Sequence, residues 1–144
     1  MYKRQPLYGD EIEEDINPIE AGLDLSFFLN LEKKAYFFGR AAIERIKAHG
    51  VTRKRIGFKL LEKGIPRHNY PILNKTGEQI GFVTSGVYSP INDCGIGMGY
   101  VPLEYTQEGT ELLIQIRKKQ VPAVVVPIPF YDTEKYGWKR KTTA

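Results

Sequence analysis

Residues 79–90 read QIGFVTSGVYSP, and the fold turns on how this stretch is read. Its two glycines and the hydroxyls of Thr84, Ser85 and Ser89 suggest a phosphate loop, a catalytic turn or a bend between strands. Gly81 and Gly86 stand five apart, as in the first half of a phosphate loop, but Val87 and Tyr88 follow where that motif needs a lysine and a magnesium-binding hydroxyl. Pro90 then breaks the chain, so no helix follows to aim its N-terminus at an anion. What is left is a strand over residues 80–83 that leaves through a glycine-bearing turn.

The same period of two runs through the rest of the second half. In KRIGFKLLE, Ile56, Phe58 and Leu60 alternate with Gly57 and Lys59; in TELLIQIRK, Leu112, Ile114 and Ile116 alternate with Leu113, Gln115 and Arg117. YPILN, EQIGFVTS and GIGMGYV lie between them, separated by the turn signals KGIPRHN, NKTG and SPINDCG. VPAVVVPIPF closes the series, and Pro122 and Pro127 predict an edge strand or one with bulged ends. Six short strands at this spacing predict a small antiparallel barrel or sandwich over residues 51–144. Before residue 50 the pattern is mixed. LSFFLNL (25–31) predicts a buried strand, and GRAAIERIKAH (39–49) predicts a helix with Ala42, Ile43 and Ile46 on one face and Gly50 as its stop.

Composition excludes several classes. The chain has 144 residues, 42% hydrophobic and 26% charged, which suits one packed domain with part of another. No apolar run reaches the length of a membrane span. One cysteine, Cys94, leaves no internal disulfide framework and fits a reducing compartment such as the cytoplasm. Two histidines and that cysteine are too scattered for a zinc site. A net charge of +4 permits anionic partners without demanding them. Residues 1–5, MYKRQ, read as translated sequencing adaptor rather than coding sequence, so the expectation is a fragment that has lost its natural N-terminal part.

Each reactive-looking group has a plainer reading beside it. Cys94 stands in a turn without a histidine nearby, which favours an incidental thiol over a nucleophile. Glu11, Glu13, Glu14 and Asp15 miss calcium-loop spacing and read as solvated charges. Arg53, Lys54 and Arg55, with Lys135, Lys139, Arg140 and Lys141 among Tyr131, Tyr136 and Trp138, would suit a single-stranded nucleic acid, but equally a solvated strand start and a loose tail.

In order, the segments LYGDEI, NPIEAGL, FFGRAAI, RKRIGF, GIPRHNYPI, QIGFVTSGVYSP, GIGMGYVP and PFY resemble the aminomethyltransferase, or T-protein, of the glycine cleavage system. The resemblance runs from about Leu7 to Tyr131. It implies an α+β fold: residues 1–50 as the remnant of a mixed α/β folate-binding domain, then residues 51–144 as a small antiparallel β-barrel. QIGFVTSGVYSP is similar to the family's G-x-V-T-S-G-x-x-S-P signature. That implies a structural turn between barrel strands, with Gly86 relieving the backbone and Ser89-Pro90 setting the next turn.

The implied activity transfers the methylene of an aminomethyl group on the lipoyl arm of the H-protein to tetrahydrofolate, with release of ammonia. Tetrahydrofolate is then the cosubstrate and lipoylated H-protein the partner, in the cytoplasm, or in the mitochondrion of a eukaryote. The family's catalytic aspartate belongs to the N-terminal half, and Asp24 stands in the wrong place to match it. Three folate-binding residues are implied: Tyr8 matches a family tyrosine at the folate pocket, Arg67 stands in a turn where a cation could meet a carboxylate, and Tyr136 falls near a family position that closes on the ligand. Their plainer readings are loop packing, surface charge and an unaligned tail. Arg4 inherits no role. A dimethylglycine or sarcosine dehydrogenase ends in the same module and is the alternative parent; a nucleic-acid-binding barrel is the alternative from another class.

Overall fold

The structure, a computed structural model, describes residues 6–23 and 36–137. The predicted strand at 25–31, Asp24, residues 1–5 and the tail residues Trp138, Lys139, Arg140 and Lys141 lie outside them. Alternating apolar residues produce six strands: β1 (Arg53–Leu60), β2 (Pro71–Leu73), β3 (Gln79–Ser89), β4 (Cys94–Pro102), β5 (Glu111–Ile116) and β6 (Lys119–Val126). They pair antiparallel in the order β1-β4-β3-β2-β5-β6, and β6 returns to β1, so the sheet closes as a barrel. Closure leaves no edge to pair with another chain.

Inward-facing residues meet in one core. Ile56, Phe58, Leu60, Ile72, Val83, Val101, Leu112, Ile114, Val121, Ala123 and Val125 form it. Phe58 is fully buried, and burial of a side chain of this size contributes roughly 2–3 kcal/mol. The barrel is narrow enough that its partner on β4 must be small. A Cβ on Gly97 would stand 2.5 Å from the Phe58 ring. The glycines of GIGMGYV therefore mark the inner face of β4, which makes room for the core of its neighbours.

Two sequence readings need correction. β3 does not turn at Gly86; it is one eleven-residue strand through Ser89, and the turn comes at 90–93. Gly86 is required because the long connection from β1 to β2 crosses the barrel end. Pro66 lies against Gly86, with its Cγ 2.6 Å from where a Cβ would be, and Gly64 O lies 2.5 Å from the same position on Gly95. β6 is not an edge strand, since it pairs with β5 on one side and β1 on the other. Pro122 is tolerated because the β1 ladder covers only Ala123–Val126 of β6, so its missing N–H costs no bond on that side.

The outer face of β4 is covered from two directions. Ile96 and Met98 pack against Phe130, with Val126 and Ile128 alongside. Tyr100 packs against Ile16 and Ala21, with Leu23 and Phe82 alongside. Residues 6–23 thus lie on the barrel wall. α1 (Arg40–His49) forms as predicted, bounded by Gly39 and Gly50, but none of its residues is buried. A short α2 (Thr133–Tyr136) ends the described chain. Among the described residues no helix is long and apolar enough to cross a membrane.

Candidate functional site

The most organised polar cluster joins residues 7–12 to a bulge in β3. The register of β3 against β4 shifts between Val83 and Ser85, which leaves Thr84 as the extra residue. Both of its polar ends are used by neighbouring segments. Its hydroxyl donates to Glu11 Oε1 at 3.1 Å, and its carbonyl accepts from His68 Nδ1 at 2.8 Å. Ser85 also donates to Glu11 Oε1.

Residues 7–12 fold into a tight loop around one carbonyl. Leu7 O accepts from the N–H groups of Asp10, Glu11 and Ile12 at 3.2, 2.9 and 3.1 Å. Gly9 takes φ 91°, where a side chain is strained. The loop turns Glu11 inward, to 2% exposure, and Tyr8 outward, to 71%. A buried carboxylate is costly unless donors replace its water. Three do so here: the two hydroxyls of β3 and the Leu7 N–H, which reaches Glu11 Oε2 at 3.0 Å. The Glu11 carbonyl is held as well, by the Tyr100 hydroxyl at 2.8 Å. Burial pushes the Tyr100 phenol up to about 12.

Charged contacts seal the rest of the segment. Arg53 donates to Glu20 at 3.2 Å and to the carbonyl and carboxylate of Asp15 at 2.9 and 3.3 Å. Its guanidinium lies 5.6 Å from the centre of the Tyr100 ring. His68 Nδ1 stands 3.8 Å from Asp10 Oδ1, so the 61–70 connection and the 7–12 loop meet at that pair.

The three residues expected at a folate pocket fall in two places. Tyr8 lies on a shallow depression with Gly9, Glu13, Glu14 and Asp15. Arg67 is exposed in the connection, next to His68, and so belongs to the same corner. Tyr136 stacks on Tyr131 at 6.0 Å, and Lys135 Nζ lies 5.1 Å from its ring centre. That segment follows Phe130, which covers Ile96 and Met98 rather than Tyr100. Chemically, the Tyr8 corner offers a flat ring for stacking, carboxylates to accept hydrogen bonds and a guanidinium for an anion.

The remaining sequence candidates settle differently. Burial pushes the Cys94 thiol up, with Asp93 adding to the shift and Lys59 opposing it, which disfavours the nucleophilic thiolate. Among the described residues no cluster of His, Cys, Asp or Glu could hold a metal. Arg53 is engaged with the acidic segment instead of fronting a basic surface. Glu13, Glu14 and Asp15 are exposed, as the sequence suggested, but Glu11 is not. The signal for its burial was the set of apolar residues in the same acidic stretch, Ile16, Ile19 and Ala21, which need a surface to cover.

Comparison with known proteins agrees with this architecture. Residues 53–132 match the family described as the glycine cleavage T-protein C-terminal barrel domain. An aminomethyltransferase of Bacteroides thetaiotaomicron is 44% identical over 124 residues, 86% of this chain and 34% of that protein. One of Listeria monocytogenes serotype 4b is 46% identical over 130 residues, 90% of this chain and 35% of that protein. The crystal structure of glycine cleavage system aminomethyltransferase T from Bartonella henselae superposes with a TM-score of 0.82 at 33% identity, over 90% of this chain and 36% of that one. The chain thus spans about a third of the length of the curated relatives it matches.

Proposed function

The chain belongs to the glycine cleavage T-protein C-terminal barrel family, and on that premise we propose that it forms the barrel end of a tetrahydrofolate-dependent aminomethyltransferase. The supporting observation is 44–46% identity to aminomethyltransferases across nearly the whole chain, extending upstream of the barrel. In the proposed reaction the carrier is the lipoyl arm of the H-protein. The methylene carbon gives up its bonds to the lipoyl sulfur and to the amine nitrogen and gains bonds to two folate nitrogens. The folate N–H protons leave with the sulfur and with ammonia. A carboxylate beside the reacting nitrogen stabilises the iminium character that develops; the resemblance assigns it to the family's N-terminal half.

The part played by these 144 residues is binding and cover. Tyr8 offers an exposed ring to the pterin or the aryl group of folate, Arg67 a cation to its glutamate tail, and Tyr136 a second ring. Residues 1–50 then read as the end of the folate-binding domain, with the barrel beginning near residue 51. What supports the Tyr8 and Arg67 assignments is their shared corner and their exposure.

The test is ammonia release from aminomethyl-loaded H-protein. An enzyme that contains this segment together with the family's N-terminal half is expected to release ammonia in proportion to added tetrahydrofolate. The 144-residue chain by itself is expected to release none. Release by this chain alone, or release indifferent to tetrahydrofolate in the longer enzyme, would overturn the proposal.

A further inference from the structure

We propose that Glu11 is a positioning residue: its buried carboxylate clamps the 7–12 loop to the bulge of β3 and so holds the Tyr8 ring outward in a fixed pose. This goes beyond the folate assignment but its catalytic consequence rests on it. The carboxylate divides its work between two oxygens. Oε1 accepts from Thr84 and Ser85, which ties the loop to the barrel; Oε2 accepts from the Leu7 N–H, the residue before Tyr8. Its described partners are two hydroxyls and one backbone N–H, and of these the Leu7 N–H is the one that can only donate. The Tyr100 hydroxyl fixes the same residue by its carbonyl at 2.8 Å. Tyr8 itself has little to hold it, being 71% exposed, so its pose depends on the backbone at Leu7 and Gly9.

The division of labour makes a decisive variant available. Glu11→Leu removes both acceptor oxygens, whereas Glu11→Gln can turn its carbonyl oxygen to the Leu7 N–H and its N–H₂ to the oxygens of Thr84 and Ser85, since hydroxyls accept as well as donate. The Tyr100 bond to the residue-11 carbonyl and the packing of Ile16 and Ala21 keep the segment on the barrel while the residue before Tyr8 is released. The experiment labels the 144-residue chain with 3-fluorotyrosine and assigns the Tyr8 signal by Tyr8→Phe. Glu11→Leu is expected to narrow that fluorine resonance about twofold through faster ring motion, with the other tyrosine signals unchanged and Glu11→Gln near the parent width. If Glu11→Leu detaches the segment outright, seen as collective shifts at Tyr100, Ser85→Ala removes one donor only and serves as the second variant. An unchanged Tyr8 signal in both overturns the proposal.

Kinetics of the longer enzyme separate the clamp from the folate reading. Tyr8→Ala is expected to raise the KM for tetrahydrofolate about tenfold. Glu11→Leu is expected to raise it several-fold with kcat nearly unchanged, and to add nothing in the Tyr8→Ala background, since both act through one ring. A KM that responds to Tyr8→Ala but not to Glu11→Leu overturns the positioning role. A KM indifferent to Tyr8→Ala overturns the folate contact alone, and the fluorine signal still decides the clamp.

Discussion

Two segments precede the first barrel strand, and their burial is the reverse of their hydrophobicity. Residues 6–23 are acidic, yet Ile16, Ile19, Ala21, Glu11 and Glu20 are all buried there. Residues 36–49 hold three consecutive aromatics and an amphipathic helix, yet Tyr36 and Phe38 are 81% and 93% exposed and no residue of α1 is buried. The acidic segment meets a surface that answers it atom by atom. Tyr100 offers a ring and a hydroxyl, β3 offers two more hydroxyls, and Arg53 offers a guanidinium to Glu20 and Asp15. Apolar area drives association without choosing the partner; matched polar groups choose it. Ile43 and Ile46 have area but, within the described residues, no such match.

The sharpest test of that contrast compares two isoleucines. Ile16→Ala should destabilise the chain by about 2–3 kcal/mol, because it opens a gap beneath Tyr100. Ile46→Ala should cost less than about 0.5 kcal/mol beyond helix propensity. Urea unfolding of both variants checks the difference, and equal losses would break the comparison.

A pH series tests the same interface through the phenol. The folded-state pKa of Tyr100, about 12, lies above its ordinary value of 10.0. Its contribution is therefore fully present below pH 10 and is lost as pH rises through 12, when the unfolded chain ionises first. The expected loss is on the order of 2 kcal/mol across that window. Tyr100→Phe should start less stable, for want of the hydroxyl held by Glu11, but lose less between those pH values. Denaturant midpoints at pH 9 and pH 11.5 for both proteins give the answer.

The smallest effect belongs to the ion pairs. Arg53 and Asp15 are part-exposed, so Arg53→Met should cost only about 1 kcal/mol and the difference should shrink in salt. A loss several times larger would mean that charge, more than the packing of Ile16 and Ala21, fastens the segment.

The alternation of Ile56, Phe58 and Leu60, and of Leu112, Ile114 and Ile116, was enough to read strands, and turn residues between them gave six in antiparallel order. That much follows because the strand period is a local property of the chain. The helix at 39–49 was legible for the same reason. Gly86 was misread, since a glycine looks alike whether it serves a turn or makes room for a crossing segment, and only the path of residues 61–70 over the barrel end separates the two. β6 was misread as an edge because prolines speak against ladders in general, while the ladder that ends before Pro122 is a matter of register. Tyr8 stood out by its place in LYGDEI, but the contact of Asp10 with His68, which joins that loop to the 61–70 connection, could not be read from either segment.

From sequence alone come the strand count, the antiparallel barrel, the helix before it and the family to which the barrel belongs, all carried by local period and ordered motifs. Tertiary structure decided where the acidic segment lies, which of its carboxylates is buried, and why β3 needs a bulge at Thr84. The reason is physical: a carboxylate can leave water only where donors wait for it, and here two of its three donors are supplied by residues more than seventy positions away along the chain.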